Sequence, residues 1–356
     1  MLRLTQTQAR AHILGRHGLS QPYATPLEAL HAVFAIQTQY SASLPTALAF
    51  RVKSFKPTWH KKEENKTVLK SWTLRHTLHA HTAADFAVAM GAIGENFFLR
   101  FCRWMEGSEG LTEAQVRERC AEIYESLSAG ALTRTELHEA LPALKEVPMA
   151  GWGADVKGLA YLGKLKLIVS DGGATRFARH DCGELPDRST AIAELLRRYF
   201  SAYGPATIAD FRHWTGLLKS SVMPVFESIQ DEFTPVEVEG MPGDRFLHGG
   251  LVEGGVPRVN LLAKFDPLTL GHADKTLFLA EKDRTKVFRI AAQVEAGVLV
   301  DGKFVGTWRL NRKGKGAEVV IEPFRKIAKA RMPGLEREAR KAAKSVGLNL
   351  SSIELR

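Results

Sequence analysis

The sequence predicts a mainly helical α+β protein in which groups of helices alternate with short strands. Two observations favour this class. Threonine residues stand repeatedly ahead of apolar-periodic runs, which is a helix start signal. From about Gly240 the composition changes to Gly, Pro and β-forming residues, which indicates a strand-rich C-terminal region. The length of 356 residues suggests about two to three domains and permits a substantial core.

The first group covers residues 1–110. Helices are predicted from Thr5 to about Arg16, from Thr25-Pro26 onward, and from about Leu44 to Val52. The stretch Trp72–His81 alternates and predicts the edge of a strand pair. Three helices followed by strands is the arrangement of a winged helix. Between them we expect a mobile basic region that contains Lys53, Lys56, Lys61, Lys62 and Lys66.

The second group, residues 111–185, repeats this arrangement. Helices are predicted from Thr112 to about Ser128, from Arg134 to Ala140 and from Gly151 to Leu162. A hairpin follows, with strands Leu165–Val169 and Thr175–Ala178 around a turn at residues 171–173. This pattern predicts a second winged helix.

The third group has its helical core in residues 186–240. Helices are predicted at Ala191–Tyr203, at Ile208–Trp214 with Thr207 as cap, and at Lys219–Ile229. The strand Phe233–Glu239 follows. Recurrence without close sequence identity indicates tandem domains rather than a solenoid.

Residues 241–356 are expected to complete the third domain with a β-rich region and a basic helix. Asp301-Gly302 is a strong hairpin turn signal, and Arg312–Gly316 is a basic loop. An amphipathic helix at about Gly334–Ser345 presents a basic face, which is also what a solvated surface helix would show. Strand candidates are Leu261-Leu262, Leu277-Phe278, Val298–Val300, Phe304-Val305, Thr307–Leu310 and Val319–Glu322.

Charge and composition narrow the function classes. Lys and Arg outnumber Asp and Glu by 49 to 39, and the net charge of +10 favours polyanionic partners such as nucleic acid or anionic membrane, without choosing between them. The three cysteines and twelve histidines show no disulfide framework and no metal-ligand spacing, so we expect no cofactor. Without a signal peptide pattern or a membrane-spanning run, a cytoplasmic location is expected.

The segment Gln37-Thr38-Gln39 is the candidate for chemistry. Residues two apart share a side only in extended backbone, so the preceding helix must stop near Gln37 if both amides act together. Two neutral amides can hold and orient a water molecule without carrying charge. The spacing alone is a weak motif, and a capping glutamine beside a solvated one would also explain it.

Several ordered blocks make the chain resemble the AlkZ/YcaQ-type winged-helix DNA glycosylases of bacteria. The resemblance covers nearly the whole chain, and the order of the blocks is more specific than any one of them. The blocks are Gln37–Gln39, Ser71–His79, Arg198–Thr207 with Asp210-Phe211 and Trp214, Leu261–Asp266 with His272–Asp274, and Val300–Gly302 with Gly306–Trp308.

This resemblance implies three tandem winged helices in a C-shaped arrangement, with a C-terminal β-rich element. It implies a monofunctional glycosylase that releases N-alkylated purines, and in some members unhooks interstrand crosslinks joined through guanine N7. A monomer suits the domain layout. The family has a glutamine–apolar–glutamine branch and a glutamine–apolar–aspartate branch. This chain fits the first, although Thr38 stands where the middle residue is usually apolar.

The partner expected from this reading is double-stranded DNA with alkylation damage or crosslinks, and no membrane. A crosslinked guanine cannot be flipped out alone, so the resemblance implies an open cleft rather than a tight pocket. Basic groups would hold the phosphates without reading sequence. The candidates are Arg75, Lys164, Lys166, Arg176, Arg179, Arg312, Lys313 and Lys315, with His79 and His81 on one side of a strand as candidates for either DNA contact or core packing.

Two other readings stay open at this level. Winged helices also serve transcriptional regulators, because a fold does not fix a function. A protein that recognises lesions without releasing bases would carry the same blocks. Among the block residues, Asp266 is interpreted as a structural turn cap, and Trp72 and Trp308 as core residues.

Overall fold

The computed structural model describes residues 1–59, 67–169 and 174–356. The chain divides into two compact units, one made of Met1–His60 with Leu196–Arg356 and the other of Lys61–Leu195. The helices are α1 (Gln6–Arg16), α2 (Pro26–Val33), α3 (Ser43–Arg51), α4 (Ala83–Glu109), α5 (Glu113–Ser126), α6 (Arg134–Ala140), α7 (Lys157–Tyr161), α8 (Arg188–Tyr203), α9 (Ile208–Thr215), α10 (Lys219–Ile229), α11 (Pro267–Leu270), α12 (Arg284–Val287) and α13 (Met332–Ser345).

The strands are short except in the C-terminal region. They are β1 (Leu2–Leu4), β2 (Ile36–Gln37), β3 (Val68–Trp72), β4 (Leu78–Thr82), β5 (Leu132–Thr133), β6 (Leu165–Val169), β7 (Thr175–Arg179), β8 (Thr234–Val238), β9 (Met241–Leu247), β10 (Val259–Leu261), β11 (Ala296–Val300), β12 (Lys303–Lys313), β13 (Gly316–Pro323) and β14 (Asn349–Leu355).

The first unit is built on a five-stranded sheet in the order β10-β11-β12-β13-β14. Neighbouring strands run antiparallel except β13 and β14, which run parallel. Helices α1 and α13 contribute to the same apolar core as this sheet. A smaller sheet joins β1, β8 and β9, so the N-terminal strand pairs in parallel with β8.

Helix α13 confirms the predicted amphipathic helix. Leu335, Ala339 and Ala342 are buried in the core, whereas the side chains of Arg337 and Arg340 are mostly exposed. Acidic neighbours on the same helix pair with these arginines. The helix therefore stabilises the fold through its apolar face and leaves its basic face in solvent.

The second unit contains a hairpin of β3 and β4 and a three-stranded sheet in the order β5-β7-β6. The tight turn between β3 and β4 places Arg75 and His76 at positive φ, 53° and 60°. The predicted β6–β7 hairpin is confirmed. Its predicted turn at residues 171–173 lies outside the described residues, as do Lys61, Lys62 and Lys66 of the basic region.

The helix starts were predicted well, because each uses a local signal. Five of these helices begin with a capping box. In each box the threonine side chain accepts from the N–H of the third helical residue, and the side chain of that residue accepts from the backbone N–H of the threonine. The threonines are Thr5, Thr25, Thr112, Thr133 and Thr207. This reciprocal bonding depends only on residues three apart, so it can be recognised in the sequence.

Helix α4 was missed by the sequence analysis, although it is the longest described helix, with 27 residues. Its buried face includes Phe86, Met90, Ile93 and Phe97, which have helical spacing. Gly94 weakens the helix signal in the sequence. It allows Tyr161 to pack closely against the helix, because a Cβ at this position would lie 2.7 Å from the Tyr161 carbonyl oxygen.

Two other expectations were wrong in detail. The segment Gly151–Leu162 is not one helix, because Gly153 adopts φ 93° and only Lys157–Tyr161 is α-helical. Leu277-Phe278 forms a turn rather than a strand. The stretch Trp72–His81 belongs to a strand pair as predicted, and it contains the turn that joins β3 to β4.

A buried ion pair ties α3 to the C-terminal region of the first unit. The Arg51 guanidinium donates to both carboxylate oxygens of Asp266 at 2.9 and 2.6 Å, and both side chains are fully buried. Asp266 also accepts from the N–H groups of Leu268 and Ala263, which confirms its interpretation as a cap. Both oxygens of the Asp266 carboxylate therefore accept hydrogen bonds, which compensate for its loss of hydration.

Removal of the Arg51 guanidinium tests this pair. Because Arg51→Met leaves a buried carboxylate without its counter-ion, we expect the free energy of unfolding to fall by about 3–5 kcal/mol. The matched control is Arg3→Met, which removes a pair with Glu237 whose side chains are 82% and 54% exposed. That change should cost less than about 1 kcal/mol. Urea unfolding followed by circular dichroism measures both, and equal losses would contradict the assignment.

Candidate active site

A strained turn at Phe34 ends α2 and begins the glutamine segment. Phe34 has φ 65° and ψ −44°, and the N–H of Ala35 donates to the carbonyl of Val33 at 2.8 Å. This is a γ-turn of the rare, strained kind, and it is unusual for a residue as large as phenylalanine. Beyond it, Ile36–Gln37 is extended, so the helix stops before Gln37 as the glutamine spacing required.

Aromatic side chains from α8 and α9 hold this turn. The buried Tyr203 hydroxyl donates to the carbonyl of Val33 at 3.0 Å. The ring of Trp214 meets that of Phe34 edge to face, with centroids 5.5 Å apart. Phe34 is 1% exposed, so these contacts surround it in the core. Burial of the ring offsets the backbone strain, which has a typical cost of about 1–3 kcal/mol.

Arg198 closes the other side of the same turn. Its guanidinium donates to the Nε2 atom of His31 at 2.9 Å and to the backbone carbonyl of His31 in the last turn of α2. The guanidinium carbon also lies 5.8 Å from the centre of the Phe34 ring. A cation at a helix C-terminus is favourable because the carbonyl ends of the helix carry partial negative charge.

The extended segment brings the two amides together. Gln37 Nε2 donates to Gln39 Oε1 at 2.9 Å. Gln37 is 6% exposed, whereas Gln39 is exposed at the surface. The bond uses one lone pair of the Gln39 carbonyl oxygen, and that oxygen keeps a second lone pair. A buried amide thus orients an exposed one, and Thr38 between them is half-buried.

The residue after the pair is fixed as well. The ring of Tyr40 stacks on Phe265 with centroids 5.7 Å apart, and its hydroxyl donates to Gln293 at 2.6 Å. The Lys264 ammonium lies 4.7 Å from the centre of the same ring. The segment is therefore held before and after Gln39 by side chains that are distant in sequence.

Other blocks of the resemblance meet behind this turn. The Asp210 carboxylate accepts from the backbone N–H groups of Ala273 and Asp274 at 2.8 and 3.2 Å, and it caps α9. Burial raises the pKa of Asp210, but the interaction with His272 and the hydrogen bonds from Thr207 and Asp274 together hold that pKa below its usual value. His272 also bonds to the backbone carbonyl of Tyr203. These hydrogen bonds connect α8, α9 and the segment of residues 271–274, which lie next to the turn at Phe34.

The predicted DNA-binding residues in the β3–β4 hairpin are largely enclosed. His79 and His81 lie on one side of β4 as expected, and both are buried. Burial, followed by the charge of Arg75, holds the pKa of His79 well below its usual value. Arg75 is half-buried and bonds to His79 at 3.2 Å. This environment favours packing over DNA contact for the two histidines.

The predicted cations of the β6–β7 region have partners within the second unit. Arg176 forms an ion pair with Glu136 at 2.8 Å. Arg179 pairs with Glu125 at 2.7 Å and lies over the ring of Tyr124. Lys164 is exposed and also approaches the Tyr124 ring, whereas Lys166 is half-buried.

The β12–β13 hairpin places the remaining predicted cations at its tip. The turn consists of Gly314 and Lys315, and Lys313 pairs with Gly316 across the hairpin. Arg312, Lys313 and Lys315 are all exposed, and Lys313 also bonds to Glu318 at 3.0 Å. The predicted basic loop is thus a tight two-residue turn that concentrates three positive charges.

Comparisons with known proteins identify the family of the chain. The family model described as DNA glycosylase AlkZ-like matches residues 30–345, so the chain belongs to that family and is a DNA glycosylase. The interstrand DNA cross-link repair glycosylase of Streptomyces sahachiroi is 29% identical over 308 residues, which cover 81% of this chain and 82% of that protein. The structure of the Streptomyces sahachiroi DNA glycosylase AlkZ has a TM-score of 0.85 and covers 100% of both chains at 23% identity, which shows a shared fold.

The resemblance drawn from the ordered blocks is therefore confirmed, whereas the number and bounds of the winged helices stay a prediction. Among the residues that the structure describes, no group of three or more His, Cys, Asp or Glu side chains could hold a metal ion. No helix in the described ranges is long and apolar enough to cross a membrane.

The hydroxyl of Tyr203 provides a test of the turn. Tyr203→Phe leaves the Val33 carbonyl without its buried donor, and the glutamine segment should shift. We expect the single-turnover rate of base release to fall about tenfold, the scale of a small misplacement of catalytic groups.

The matched control for this variant lies one helical turn earlier on α8. Tyr199 donates from an equally buried hydroxyl to the carbonyl of Gly271 at 2.9 Å, away from the turn. Both variants should lose similar stability, about 1–3 kcal/mol, but Tyr199→Phe should keep the rate. Equal rate losses in the two variants would show that the Tyr203 hydroxyl has no specific positioning role.

Proposed function

We propose that the protein is a monofunctional glycosylase that hydrolyses the N-glycosidic bond of purines alkylated at N7 or N3. We further propose that it unhooks interstrand crosslinks joined through guanine N7, and that it acts as a monomer on double-stranded DNA. The observation that carries this proposal is the 2.9 Å hydrogen bond between Gln37 and Gln39 at the end of a fixed, strained turn.

The chemistry of the substrate explains why neutral amides suffice. Alkylation at N7 gives the purine a positive charge, so the base leaves as a neutral molecule and needs no strong general acid. When the bond between C1′ and N9 breaks, its electron pair neutralises the base and C1′ gains oxocarbenium character. A water oxygen then bonds to C1′ and releases its proton to solvent.

The amide pair can orient the attacking water and stabilise the positive charge on the sugar. The second lone pair of Gln39 Oε1 accepts a hydrogen from the attacking water and turns the water oxygen toward C1′. Gln37 holds that carbonyl in place from its buried position. Carbonyl dipoles also stabilise the positive charge that develops on the sugar. Because amides are weak bases, the site should leave undamaged purines intact.

Binding of the duplex is assigned to exposed cations rather than to base-reading contacts. The tip of the β12–β13 hairpin carries Arg312, Lys313 and Lys315 in solvent, where phosphates can reach them. Such contacts give affinity that falls with salt and carries no sequence information. This matches an enzyme that must find lesions in any sequence.

The crosslink activity has separate support. The relative from Streptomyces sahachiroi is named an interstrand DNA cross-link repair glycosylase, and it aligns with 81% of this chain. A guanine that is crosslinked to the other strand cannot be flipped out of the duplex alone, so the water must attack it within the duplex. The exposed position of Gln39 supports an attack of that kind, because the water it holds is accessible from outside.

Substitution of the two amides tests the mechanism. With duplex DNA that contains one N7-methylguanine, Gln37→Ala and Gln39→Ala should each lower the single-turnover rate by about 10²-fold or more. Since the pair acts as a unit, the double variant should be little slower than either single variant. Release from a nitrogen-mustard crosslink should respond in the same way.

The control is Gln21→Ala, which removes an exposed amide bonded only to the Glu253 carbonyl among the described contacts. Its rate should equal that of the wild type, and all variants should bind DNA equally. A wild-type rate for Gln39→Ala would refute the mechanism. Tight binding without release by the wild type would instead indicate a lesion-recognition protein.

A further inference from the structure

We propose that the loop of residues 288–294 inserts the side chain of Ile290 as a wedge between two base pairs of the damaged duplex. This inference rests on the proposed function and adds how the attacked nucleotide is reached without being flipped out. Ile290 is 94% exposed, the highest value among the large hydrophobic residues that the structure describes. Single exposed apolar residues are common on protein surfaces, but this one lies at the tip of a fixed loop next to the glutamine segment.

Both ends of the loop are anchored in the first unit. Val287 and Val294 are buried and belong to its apolar core. Phe288 and Val294 form an antiparallel bridge, and the N–H of Arg289 donates to the carbonyl of Gln293 at 2.8 Å. The base of the loop is therefore held by packing and backbone hydrogen bonds, while the tip projects into solvent.

The tip is a strained turn. The N–H of Gln293 donates to the carbonyl of Ile290 at 3.4 Å, and Ala291 and Ala292 adopt φ 56° and 55°. Two consecutive residues at positive φ are the pattern of a type I′ turn, which usually contains Asn and Gly. Alanines in this turn cost backbone energy, but they leave the tip less freedom to move than glycines would. The turn therefore presents Ile290 in a defined position.

A hydrogen bond connects this loop to the glutamine segment. Tyr40 directly follows Gln39, and its hydroxyl donates to the side chain of Gln293 at 2.6 Å. The Tyr40 ring is itself held by stacking on Phe265. The loop and the segment are therefore in direct contact, so a duplex whose damaged nucleotide lies at Gln39 brings the neighbouring base pairs to Ile290.

The charge of the loop suits duplex DNA. Residues 288–294 include no acidic side chain. Arg289 is exposed, and no ion pair involves it in the part of the chain that the structure describes. A cation at the base of an apolar tip can hold a phosphate while the apolar side chain enters the base stack. One isoleucine beside two alanines is too small an apolar surface for a stable protein partner.

The position of the reacting bond explains why a wedge would help. The N7 adduct lies in the major groove, whereas C1′ borders the minor groove. An apolar side chain inserted from the minor groove partly unstacks one base step and bends the duplex toward the major groove. This distortion opens the minor groove. The water held by Gln39 can then reach C1′ while a crosslinked base stays within the duplex.

Replacement of Ile290 by a polar residue tests the wedge. With duplex DNA that contains one N7-methylguanine, Ile290→Ser should lower the single-turnover rate of base release about tenfold, because the step must unstack without help. If the base pairs that flank the lesion are mismatched and already weakly stacked, the same change should have little effect. Ile290→Leu keeps an apolar side chain of the same size and should retain the wild-type rate on both duplexes.

Leu218→Ser is the matched control, because it replaces another exposed large apolar side chain, at the N-cap of α10. It should leave both rates unchanged. A second readout does not depend on catalysis: the fluorescence of 2-aminopurine placed next to the lesion. The lesion in this DNA is a 2′-fluorinated N7-methylguanine nucleotide, whose fluorine disfavours positive charge at C1′ and so prevents release. Wild-type protein and Leu218→Ser should raise the fluorescence on binding, and Ile290→Ser should not.

The outcomes separate this proposal from the catalytic one. If wild-type protein releases no base but raises the fluorescence in a way that requires Ile290, the catalytic proposal fails and the wedge stands. If it releases the base and Ile290→Ser changes neither rate nor fluorescence, the wedge fails and the catalytic proposal stands. Equal rate losses on the matched and mismatched duplexes, with the fluorescence unchanged, would also contradict the wedge.

Discussion

The γ-turn at Phe34 is the constraint on which the proposed site depends. Without it, α2 would continue and place Gln37 and Gln39 on nearly opposite sides of a helix. The turn costs backbone energy, and it persists because Tyr203, Trp214 and Arg198 surround it. Strain of this kind accumulates at functional sites, where surrounding structure determines the conformation.

The same constraint gives a structural role to residues that pack behind the turn. The carboxylate of Asp210 binds the backbone of Ala273 and Asp274, and His272 binds the backbone of Tyr203. These contacts fix α8, whose tyrosine holds the turn. The buried pair of Arg51 and Asp266 performs a similar task for α3, which follows the glutamine segment. These buried polar groups thus fix the geometry of the fold, whereas the two amides to which we assign the chemistry are uncharged.

Local signals allowed much of the fold to be predicted from the sequence. Threonine capping boxes identified helix starts, and Asp301-Gly302 identified a hairpin turn whose residues have φ 48° and 71°. The Gln37–Gln39 spacing correctly required that the helix stop before it. Patterns of this kind succeed because the residues that decide the structure lie within a few positions of one another.

Features that depend on distant residues could not be predicted. The residues around Phe34 do not indicate a γ-turn, because the hydroxyl that stabilises the turn belongs to Tyr203, far along the chain. The pairing of Arg51 with Asp266 spans 215 positions, so Arg51 could not be identified as a buried counter-ion. The hydrogen bond between Tyr40 and Gln293 likewise exists only through packing of separate segments. The burial of His79 and His81 also depends on long-range contacts, so the sequence does not decide between core packing and DNA contact for these two residues.

A pH–rate profile tests directly whether two neutral amides orient the attacking water. An amide does not titrate, so the single-turnover rate on saturating N7-methylguanine DNA should stay constant between about pH 5 and about pH 6.5. Gln39→Glu, measured in parallel down to about pH 4, should slow as the pH approaches the usual glutamate pKa of about 4.3 and its carboxylate is protonated. A wild-type rate that falls about tenfold per pH unit across this range would reveal a titrating general base and contradict the account.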